Sequence, residues 1–467
     1  MMFFFKLKIA FVLAIFCVAC APKQDVLNER DIASQQMQAN PASVVSDSSI
    51  AKYPYPLDYK QAYEYRTGVP YEQVTGFIQN VQNDSLRIND AEKYVIKLVL
   101  MIDSVAKDDF EKAKMIYDVL TLLLDYDIEG LINHSEISSE WNDVLVSKKA
   151  VCAGYAATFK KLCDLLKIPC EIVHGYAHDL TPVSSDEELV PNHAWNIVKI
   201  KDFWYNVDCT WGSNSFNSRT LESVHRYTTD WLFLNGEQFG YTHFPMDSNY
   251  QLVASKTNQE IFKNRPRLDP EFFENVKSWT ELNAINVVDS SFQLNLSFRK
   301  EANFVLVVFD KETNQPLQDK VLLRRGDDGL HVEFQAPYSG EFLGVLMNNV
   351  KEGAYNGCAY FLIRVQKASS VQYPRFLRSS AKDVVIESPL VTLHADSTYE
   401  FRVKVPNKKY VLLYCNGKKN RLNSLGDGYF AKRIKIPQDA KEVFLEVSDS
   451  EYGQYEGIAK YSIENIP

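Results

Sequence analysis

The chain has 467 residues, of which 46% are hydrophobic and 24% are charged, and its formal net charge is −9. This length suggests about three domains, and the hydrophobic content is ordinary for globular proteins that bury a core. A general nucleic-acid binder would carry a basic excess, so the acidic balance argues against nucleic acid as a partner.

Residues 1–19 have the pattern of an export signal. Lysines precede an apolar stretch, residues 9–16, which is too short to span a membrane as a mature helix and ends in small residues. The sequence Cys-Val-Ala-Cys at 17–20 resembles a bacterial lipobox, which implies cleavage before Cys20 and lipid attachment to that cysteine. We therefore expect an exported protein, lipid-anchored to a membrane of the bacterial cell envelope; the alternative is a plain secretory signal.

A polar segment, residues 20–56, follows and is typical of a flexible tether. Helical periodicity in residues 90–105 and 109–124 predicts two scaffold helices of a domain that spans residues 57–265. Trp141, in the loop that follows, is a candidate for the border of a cleft or for an oxyanion site, although a packing tryptophan is the commoner outcome.

Cys152 precedes a segment, residues 153–167, in which apolar residues recur at three- and four-residue intervals without a proline. This pattern predicts a helix with Cys152 at its N-terminus, where unpaired backbone N–H groups and the helix dipole favour a thiolate. Lys148 and Lys149 add positive charge nearby, and Gly154 is expected to keep the first turn slim enough for a substrate to approach. Cys152 is the candidate nucleophile, and its backbone N–H is a candidate oxyanion donor. An isolated helical cysteine is more often inert and buried, so the prediction depends on its partners.

Two β-rich runs, residues 193–200 and 203–211, flank Lys-Asp and predict a hairpin. With Lys-Asp at the tip, one face of the hairpin is apolar apart from Asn196. His193 and Asp208 are then diagonal neighbours on the other face, close enough to interact.

Cys152, His193 and Asp208 are the combination that acyl transfer needs. The cysteine attacks an acyl carbon, the histidine takes and returns the proton, and the aspartate fixes the imidazole tautomer. This chemistry requires neither a metal nor a cofactor, and we predict neither.

The other histidines are weaker candidates. His174 and His178 precede His193 and suggest a metal site, but their spacing matches no standard ligand set. His225 and His243 are not predicted to be catalytic.

At these residues the chain resembles the transglutaminase-like (papain-related) cysteine superfamily, whose Cys, His and Asp occur in this order. The matching motifs are Val-Cys-x-Gly-Tyr-Ala at 151–156, His-Ala-Trp-Asn at 193–196 and Trp-Tyr-x-Val-Asp-x-Thr-Trp at 204–211. A weaker resemblance, at Trp-Leu-Phe-Leu 231–234 and His-Phe-Pro 243–245, is to the kyphoscoliosis peptidase branch. The superfamily implies a papain-like transglutaminase core, and the branch implies a peptidase with appended β-domains.

The sequence changes character after about residue 256. A Pro-containing boundary and a short predicted helix, residues 271–282, lead into β-rich runs. The pattern Tyr-x-Gly-x-Ala-x-aromatic-x-Ile occurs at 355–363 and again at 455–463, which indicates a tandem duplication. We predict two all-β immunoglobulin-like sandwiches, at 283–370 and 380–467, so the fold class is α+β.

Six of the eight cysteines lie beyond Cys20, and their odd, scattered distribution outside the nucleophile predicts no disulfide scaffold. Cys163 and Cys170 flank a helix end and can pair, but their apolar neighbours favour buried free thiols.

The leading hypothesis is an envelope-anchored cysteine enzyme that forms an acyl-enzyme with a protein or peptide substrate. Water as the second substrate makes it a peptidase, and an amine makes it a transglutaminase; the branch resemblance favours the peptidase. Two alternatives stay open: a catalytically silent binding or scaffold protein that uses its β-domains, and an amidase of cell-wall peptides.

Overall fold

The computed structural model describes residues 52–83, 91–182, 188–217, 222–299, 303–317, 320–326, 329–351, 354–369, 373–376 and 384–464. The predicted export signal, Cys20 and most of the predicted tether lie outside these residues. No helix within the described residues is long and apolar enough to cross a bilayer. The chain forms two compact units, one built mainly from residues before Lys263 and the other from residues after it.

The first unit places a set of helices against one central sheet. In chain order its helices are α1 Lys60–Glu64, α2 Glu72–Asn83, α3 Ala91–Val105, α4 Asp109–Leu123, α5 Ile128–Ile132, α6 Trp141–Ser147, α7 Cys152–Leu165, α8 Cys209–Ser213, α9 Gly236–Phe239 and, at its end, α10 Gln259–Asn264. The two predicted scaffold helices correspond to α3 and α4. The predicted nucleophile helix is α7, which begins at Cys152 itself.

The strands of the first unit are β1 Asp125–Tyr126, β2 Lys149–Ala150, β3 Cys170–Ala177, β4 His193–Ile200, β5 Phe203–Val207, β6 Asn214–Asn217, β7 Glu222–His225, β8 Leu232–Leu234 and β9 His243–Pro245. Five of them form the central sheet in the order β8-β5-β4-β3-β9. The hairpin β4–β5 has the predicted register, with Ile200 opposite Phe203 and Asn196 opposite Val207. Lys201 adopts the positive φ (56°) that a two-residue hairpin turn demands.

The second hairpin strand is shorter than predicted. It ends at Val207, and the segment expected to continue it forms α8 instead. The cause is local, because the Asp208 side chain accepts a hydrogen bond from the Trp211 N–H (3.1 Å) and thereby caps the turn. Asp208 and Thr210 therefore do not lie on the strand face where the sequence pattern places them.

Both faces of the central sheet are buried, whereas the sequence pattern predicted one core face. Ala194, Val198 and Ile200 of β4 pack with α7 and α4 in the larger core. The opposite face of the same strand, through Trp195 and Ile197, packs in a second cluster with Trp204, Trp231, Leu234, Phe239 and Leu252. Because large aromatic side chains cover this second face, β4 is buried along almost its whole length.

The second unit consists of strands apart from one short helix, α11 Pro270–Asn275, in its described residues after α10. This helix is shorter than the predicted 271–282, because the chain becomes a strand at Val276. The strands are β10 Arg267–Leu268, β11 Val276–Trp279, β12 Ile285–Val288, β13 Ser291–Phe298, β14 Phe304–Asp310, β15 Val321–Gly326, β16 Gly329–Gln335, β17 Gly340–Lys351, β18 Ala354–Val365, β19 Arg375–Phe376, β20 Val385–Ser388, β21 Leu393–His394, β22 Thr398–Lys404, β23 Tyr410–Cys415, β24 Lys418–Arg421, β25 Asn423–Gly426, β26 Tyr429–Lys435, β27 Val443–Ser448, β28 Glu456–Tyr461 and β29 Ile463–Glu464.

These strands build two sandwiches. In the first, the sheet β10-β18-β17-β14, with β12 on β18, faces the sheet β11-β13-β16-β15, and Phe334 and Phe342 meet between them with ring centroids 5.1 Å apart. In the second, β19-β28-β27-β23-β24 faces β20-β22-β26-β25 across one apolar core. The predicted α+β class with a β-rich C-terminal region is confirmed.

The repeated sequence pattern has a structural counterpart in the last long strand of each sandwich. In the first, the pairing passes from Leu346↔Ala359 to Met347↔Gly357, which leaves Cys358 as an extra residue. In the second, it passes from Leu445↔Ala459 to Glu446↔Gly457, which leaves Ile458 as the extra residue. Each sandwich therefore has a β-bulge at the same place in the repeat.

Candidate active site

Cys152 is the first residue of α7, and its side chain is fully buried. At this position the backbone N–H has no acceptor within the helix, and the positive end of the helix dipole lies beside the sulfur. Tyr155, one turn further on, anchors the helix start by donating its hydroxyl to the Leu124 carbonyl (2.7 Å).

Gly154 faces away from the direction that the sequence suggested. A β-carbon at this position would lie 2.9 Å from the Ala150 side chain and 2.9 Å from that of Val144. The glycine therefore lets the first turn of α7 pack closely on α6 and β2, and it does not widen the approach to the sulfur.

His193 and Asp208 meet as the sequence analysis expected. His193 Nε2 and Asp208 Oδ2 are 2.7 Å apart, and both side chains are buried. Because Nε2 is engaged by the carboxylate, Nδ1 is the ring nitrogen that remains to exchange a proton with a thiol.

The carboxylate of Asp208 is held in its ionised form. Burial is the largest single influence and opposes ionisation, but His193 and then His243 together outweigh it and hold the pKa of Asp208 well below its ordinary value. An ionised carboxylate is the form that orients the imidazole and stabilises the imidazolium.

The contacts between α7 and β4 place Cys152 and His193 at the same end of the two elements. Lys160 of α7 donates to the Cys170 carbonyl (2.9 Å), and Cys170 pairs with Val198 of β4. Nearer the N-terminus of α7, Asn196 of β4 donates to the Ala156 carbonyl (3.0 Å). The helix and the strand therefore run in the same direction. Cys152 is the first residue of α7 and His193 is the first residue of β4, so both lie at the same end.

Asn196 was the one polar residue on the predicted core face, and its contacts explain its place there. Its amide nitrogen donates to the carbonyls of Ala156 (3.0 Å) and Glu171 (3.3 Å). A buried amide with two acceptors fastens the nucleophile helix to the sheet at a point near the proposed site.

His243 belongs to this cluster, although the sequence analysis did not predict it to be catalytic. Its Nε2 lies 3.1 Å from Asp208 Oδ2, the same oxygen that contacts His193, and its side chain is fully buried. Four rings surround it and are called the aromatic box here: Trp195, Trp211, Trp231 and Phe239. The sequence signal that could have pointed to His243 was the His-Phe-Pro motif. That motif suggested a family resemblance but did not indicate what His243 does.

His193, Asp208 and His243 also meet a geometric condition for metal binding, since one ligand atom from each lies within 4.8 Å of the others. Two ligands of a tetrahedral zinc ion are about 3.3 Å apart when each bond is about 2.0 Å. The observed N–O separations of 2.7 and 3.1 Å are shorter and match hydrogen bonds. The arrangement fits a hydrogen-bonded cluster better than an ion site.

The remaining candidates lie apart from the cluster. His178 contacts the Phe262 carbonyl (3.0 Å) and stacks on that ring, and His174 is exposed on β3. The side chain of His225 lies outside the described residues. Trp141 packs under the ammonium group of Lys161 (4.9 Å), nine residues along α7 from Cys152, and so is placed as a packing residue.

Cys163 and Cys170 are free and buried, as expected, and so are Cys209, Cys358 and Cys415. Burial raises the pKa of the Cys163 thiol well above its ordinary value, and that of Cys209 likewise. These thiols are therefore poorly suited to nucleophilic chemistry.

A cysteine at a helix N-terminus, together with an imidazole and a carboxylate in contact, is the set of groups that thiol-dependent acyl transfer uses. The family model of the Transglutaminase-like superfamily matches residues 97–209, a range that includes Cys152, His193 and Asp208. At the level of that superfamily, the chain contains a transglutaminase-like domain.

Curated relatives agree with this assignment. The chain is 25% identical over 240 residues to Kyphoscoliosis peptidase of Mus musculus and of Homo sapiens, which covers 50% of this chain and 35% of each relative. It is 22% identical over 305 residues to Cytokinesis protein 3 of Saccharomyces cerevisiae, covering 62% and 33%. A solved structure described as "Crystal structure of a TGase" is 18% identical, covers 29% of this chain and 37% of its own, and gives a TM-score of 0.21. The chain thus spans about a third of the length of these curated relatives.

Proposed function

We propose that this protein is a cysteine acyl-transfer enzyme that hydrolyses protein amides, with Cys152 as nucleophile, His193 as general base and acid, and Asp208 as the orienting carboxylate. The observation that carries the proposal is the buried 2.7 Å contact between His193 and Asp208, next to the helix that begins at Cys152. Such a pair is costly to bury, and it has a chemical use beside a thiol.

The proposed reaction starts with transfer of the Cys152 thiol proton to His193 Nδ1. The thiolate attacks the amide carbon, and the carbonyl π electrons move to oxygen, where the Cys152 backbone N–H stabilises the charge. The tetrahedral intermediate collapses, the C–N bond breaks, and the leaving amine takes the proton from His193. A thioester remains on Cys152.

The second half regenerates the enzyme. His193 removes a proton from water, the hydroxide oxygen attacks the thioester carbon, and the C–S bond breaks. The thiolate recovers its proton from His193, and a carboxylic acid leaves. If an amine replaces water, the same steps give a transglutaminase product with a new amide bond.

Hydrolysis is favoured because the relatives that are 25% identical to this chain are named Kyphoscoliosis peptidase, and the sequence motifs suggested the same branch. The chain's own substrate is proposed as a protein or peptide. The competing proposal is a silent scaffold that keeps the fold; burial of an ionised carboxylate between two histidines supports the enzyme over the scaffold.

We also propose that the chain is exported and lipid-anchored through Cys20 in a bacterial envelope. The proposal rests on the apolar stretch at 9–16 and the lipobox-like sequence at 17–20.

Selective alkylation of Cys152 tests the proposed chemistry without a known substrate. The reduced full chain is treated with iodoacetamide at about pH 6, and each cysteine is followed by peptide mass spectrometry. We expect Cys152 to react on the order of tenfold or more faster than the buried free thiols, because only an activated cysteine is a thiolate at this pH. His193→Ala is expected to remove most of this advantage.

The matched control is Cys209, which is buried close to the same cluster and should stay slow in both proteins. If all cysteines of the unsubstituted protein are labelled equally slowly, the result would contradict the proposed enzyme and support the proposal of a catalytically silent scaffold. Adding casein, a primary-amine probe or peptidoglycan stem peptides to the unsubstituted protein then separates peptidase, transglutaminase and cell-wall amidase by the product formed.

A further inference from the structure

The second histidine of the cluster has no place in the three-residue scheme. His243 begins β9, the edge strand that pairs with β3, and it lies 35 residues beyond Asp208 in the chain. Its ring is fully buried and contacts the carboxylate oxygen that also holds His193. A buried imidazole in direct contact with the proposed orienting carboxylate calls for a function of its own.

The hydrogen bonds around His243 fix which of its nitrogens carry protons. The Thr242 hydroxyl donates to the Phe239 carbonyl (3.0 Å), so at His243 Nδ1 (2.8 Å) its oxygen accepts. Nδ1 is then a donor. A neutral ring would turn the lone pair of Nε2 toward the ionised Oδ2 of Asp208 at 3.1 Å, and two acceptors would face each other. The contact is a hydrogen bond only when His243 carries both ring protons.

The surroundings suit a cation that is paired in a dry site. The rings of Phe239 and His243 stack with centroids 4.0 Å apart, and Trp211 lies 4.6 Å away. Aromatic faces attract a cation, and the box keeps competing water from the shared carboxylate. His243 and His193 thus contact the same oxygen of Asp208 as neighbours, with their ring centroids 5.3 Å apart.

The charged and titratable groups near this contact come from several elements. Facing His243 in the described residues are His193 of β4 and Asp208 between β5 and α8. Around the carboxylate lie Tyr117, Tyr126 and Cys209, and burial raises the pKa of each, which keeps them neutral. The charge balance near Asp208 therefore depends on the two histidines.

We propose that His243 is a positioning residue, a doubly protonated imidazole that holds Asp208 Oδ2 beside His193 and so fixes the direction in which Asp208 presents this oxygen. This inference rests on the proposed function of Cys152, His193 and Asp208. His243 touches no reacting atom. It acts through Asp208, and its positive charge favours the thiolate form of Cys152.

The test compares four variants by the rate of Cys152 alkylation across pH after reduction. His243→Phe keeps a ring in the aromatic box but removes both the donor and the charge. His243→Gln keeps a neutral donor of similar reach. Thr242→Val removes the acceptor that orients His243. Phe239→Leu is the matched control, because it disturbs the same box and leaves every hydrogen bond to Asp208 in place.

In His243→Phe we expect alkylation at about pH 6 to slow by on the order of tenfold, because the carboxylate loses a charge-assisted hydrogen bond. In His243→Gln part of that rate should return, because the neutral donor still orients the carboxylate. The midpoint of the pH profile should rise by about half a unit to one unit in both variants, because both lose the positive charge that favours the thiolate. Thr242→Val should raise the midpoint by a smaller amount, and Phe239→Leu should leave the midpoint unchanged.

Equal rates and midpoints in the unsubstituted protein, His243→Gln and Thr242→Val would overturn the proposal, even if His243→Phe fails to fold. So would equal slowing in His243→Gln and His243→Phe with an unchanged midpoint, since that result means packing alone. These outcomes differ from failure of the proposed function, in which Cys152 of the unsubstituted protein shows no advantage and does not depend on His193.

Discussion

Asp208 takes part in four contacts through its backbone N–H and its carboxylate. Its backbone N–H donates to the Trp231 carbonyl (3.0 Å), Oδ1 caps α8 by accepting from the Trp211 N–H, and Oδ2 contacts Nε2 of both His193 and His243. The hairpin register correctly predicted that Asp208 and His193 meet. The route is different, because Asp208 lies one residue past the end of β5 and reaches His193 from a helix cap.

Asn196 gives a residue-scale prediction. Asn196→Ala should lower the free energy of unfolding by about 1–3 kcal/mol, because two buried carbonyls lose their donor. Urea denaturation measures this. Asn249→Ala is the control: its exposed side chain accepts a hydrogen bond from Lys256, and the loss of that bond should cost less than about 0.5 kcal/mol. Equal losses in the two variants would show that the Asn196 contacts do not stabilise the fold.

His243 shows what local sequence patterns leave out. The contact of His193 with Asp208 and the place of Cys152 at a helix N-terminus were predictable, because a two-residue hairpin and a helix start are local features. His243 reaches Asp208 through the pairing of β9 with β3, a contact between segments about 70 residues apart, and no periodicity within either strand specifies it. Tertiary pairing decides such contacts.

At the scale of elements, α4 has almost the residue range that was predicted for it but is buried more completely than an amphipathic helix would be. Its apolar stripe predicted an amphipathic helix, yet Lys114 and Asp118 on it are fully buried. Lys114 Nζ lies 2.6 Å from Asp118 Oδ1, and the Tyr227 hydroxyl donates to the same oxygen (2.7 Å). Burial is the largest influence on both groups, and it lowers the pKa of Lys114 and raises that of Asp118. Polar residues in a helical pattern usually mark a solvated face, so the sequence could not indicate this pair.

The buried pair leads to an element-scale prediction. Asp118→Asn should destabilise the protein by about 3–5 kcal/mol, because it leaves the Lys114 ammonium buried without a counter-charge. The double variant Lys114→Met/Asp118→Leu should lose much less, since no uncompensated charge remains. Denaturant midpoints measure both changes.

The matched control for that prediction is the Lys160–Asp164 pair, which has the same four-residue spacing on α7 but is partly exposed. Asp164→Asn should cost less than about 0.5 kcal/mol. A small loss in Asp118→Asn, similar to that in Asp164→Asn, would contradict the view that burial makes the α4 pair sensitive.

At the scale of the whole molecule, each compact unit has an apolar core of its own, as independent domains do. The α+β class and the repeat of two sandwiches were predictable, because alternating apolar residues and a recurring pattern appear directly in the sequence. The burial of the second face of the central sheet was not predictable, because the aromatic side chains that cover it come from distant segments of the chain. The domain boundaries at 57–265, 283–370 and 380–467 stay predictions.

Anchoring through Cys20 is a prediction for the complete chain. In a bacterial host that processes lipoproteins, the protein should take up an alkyne-labelled fatty acid and sediment with membranes, because two or more acyl chains hold a protein stably. Cys20→Ala should lose both properties. Cys17→Ala is the control and should keep them. An unlabelled unsubstituted protein would favour the plain secretory signal, and a labelled Cys20→Ala protein would mean that the lipid is attached at another residue.

The bulges at Cys358 and Ile458 bear on the history of the two sandwiches. In both modules the additional residue lies in the last long strand, each time between a glycine and an alanine and each time with a buried side chain. Such an insertion shifts every later side chain to the other face unless a bulge absorbs it. The shared bulge is what two copies of one module would show, and it adds a structural match to the repeated sequence pattern.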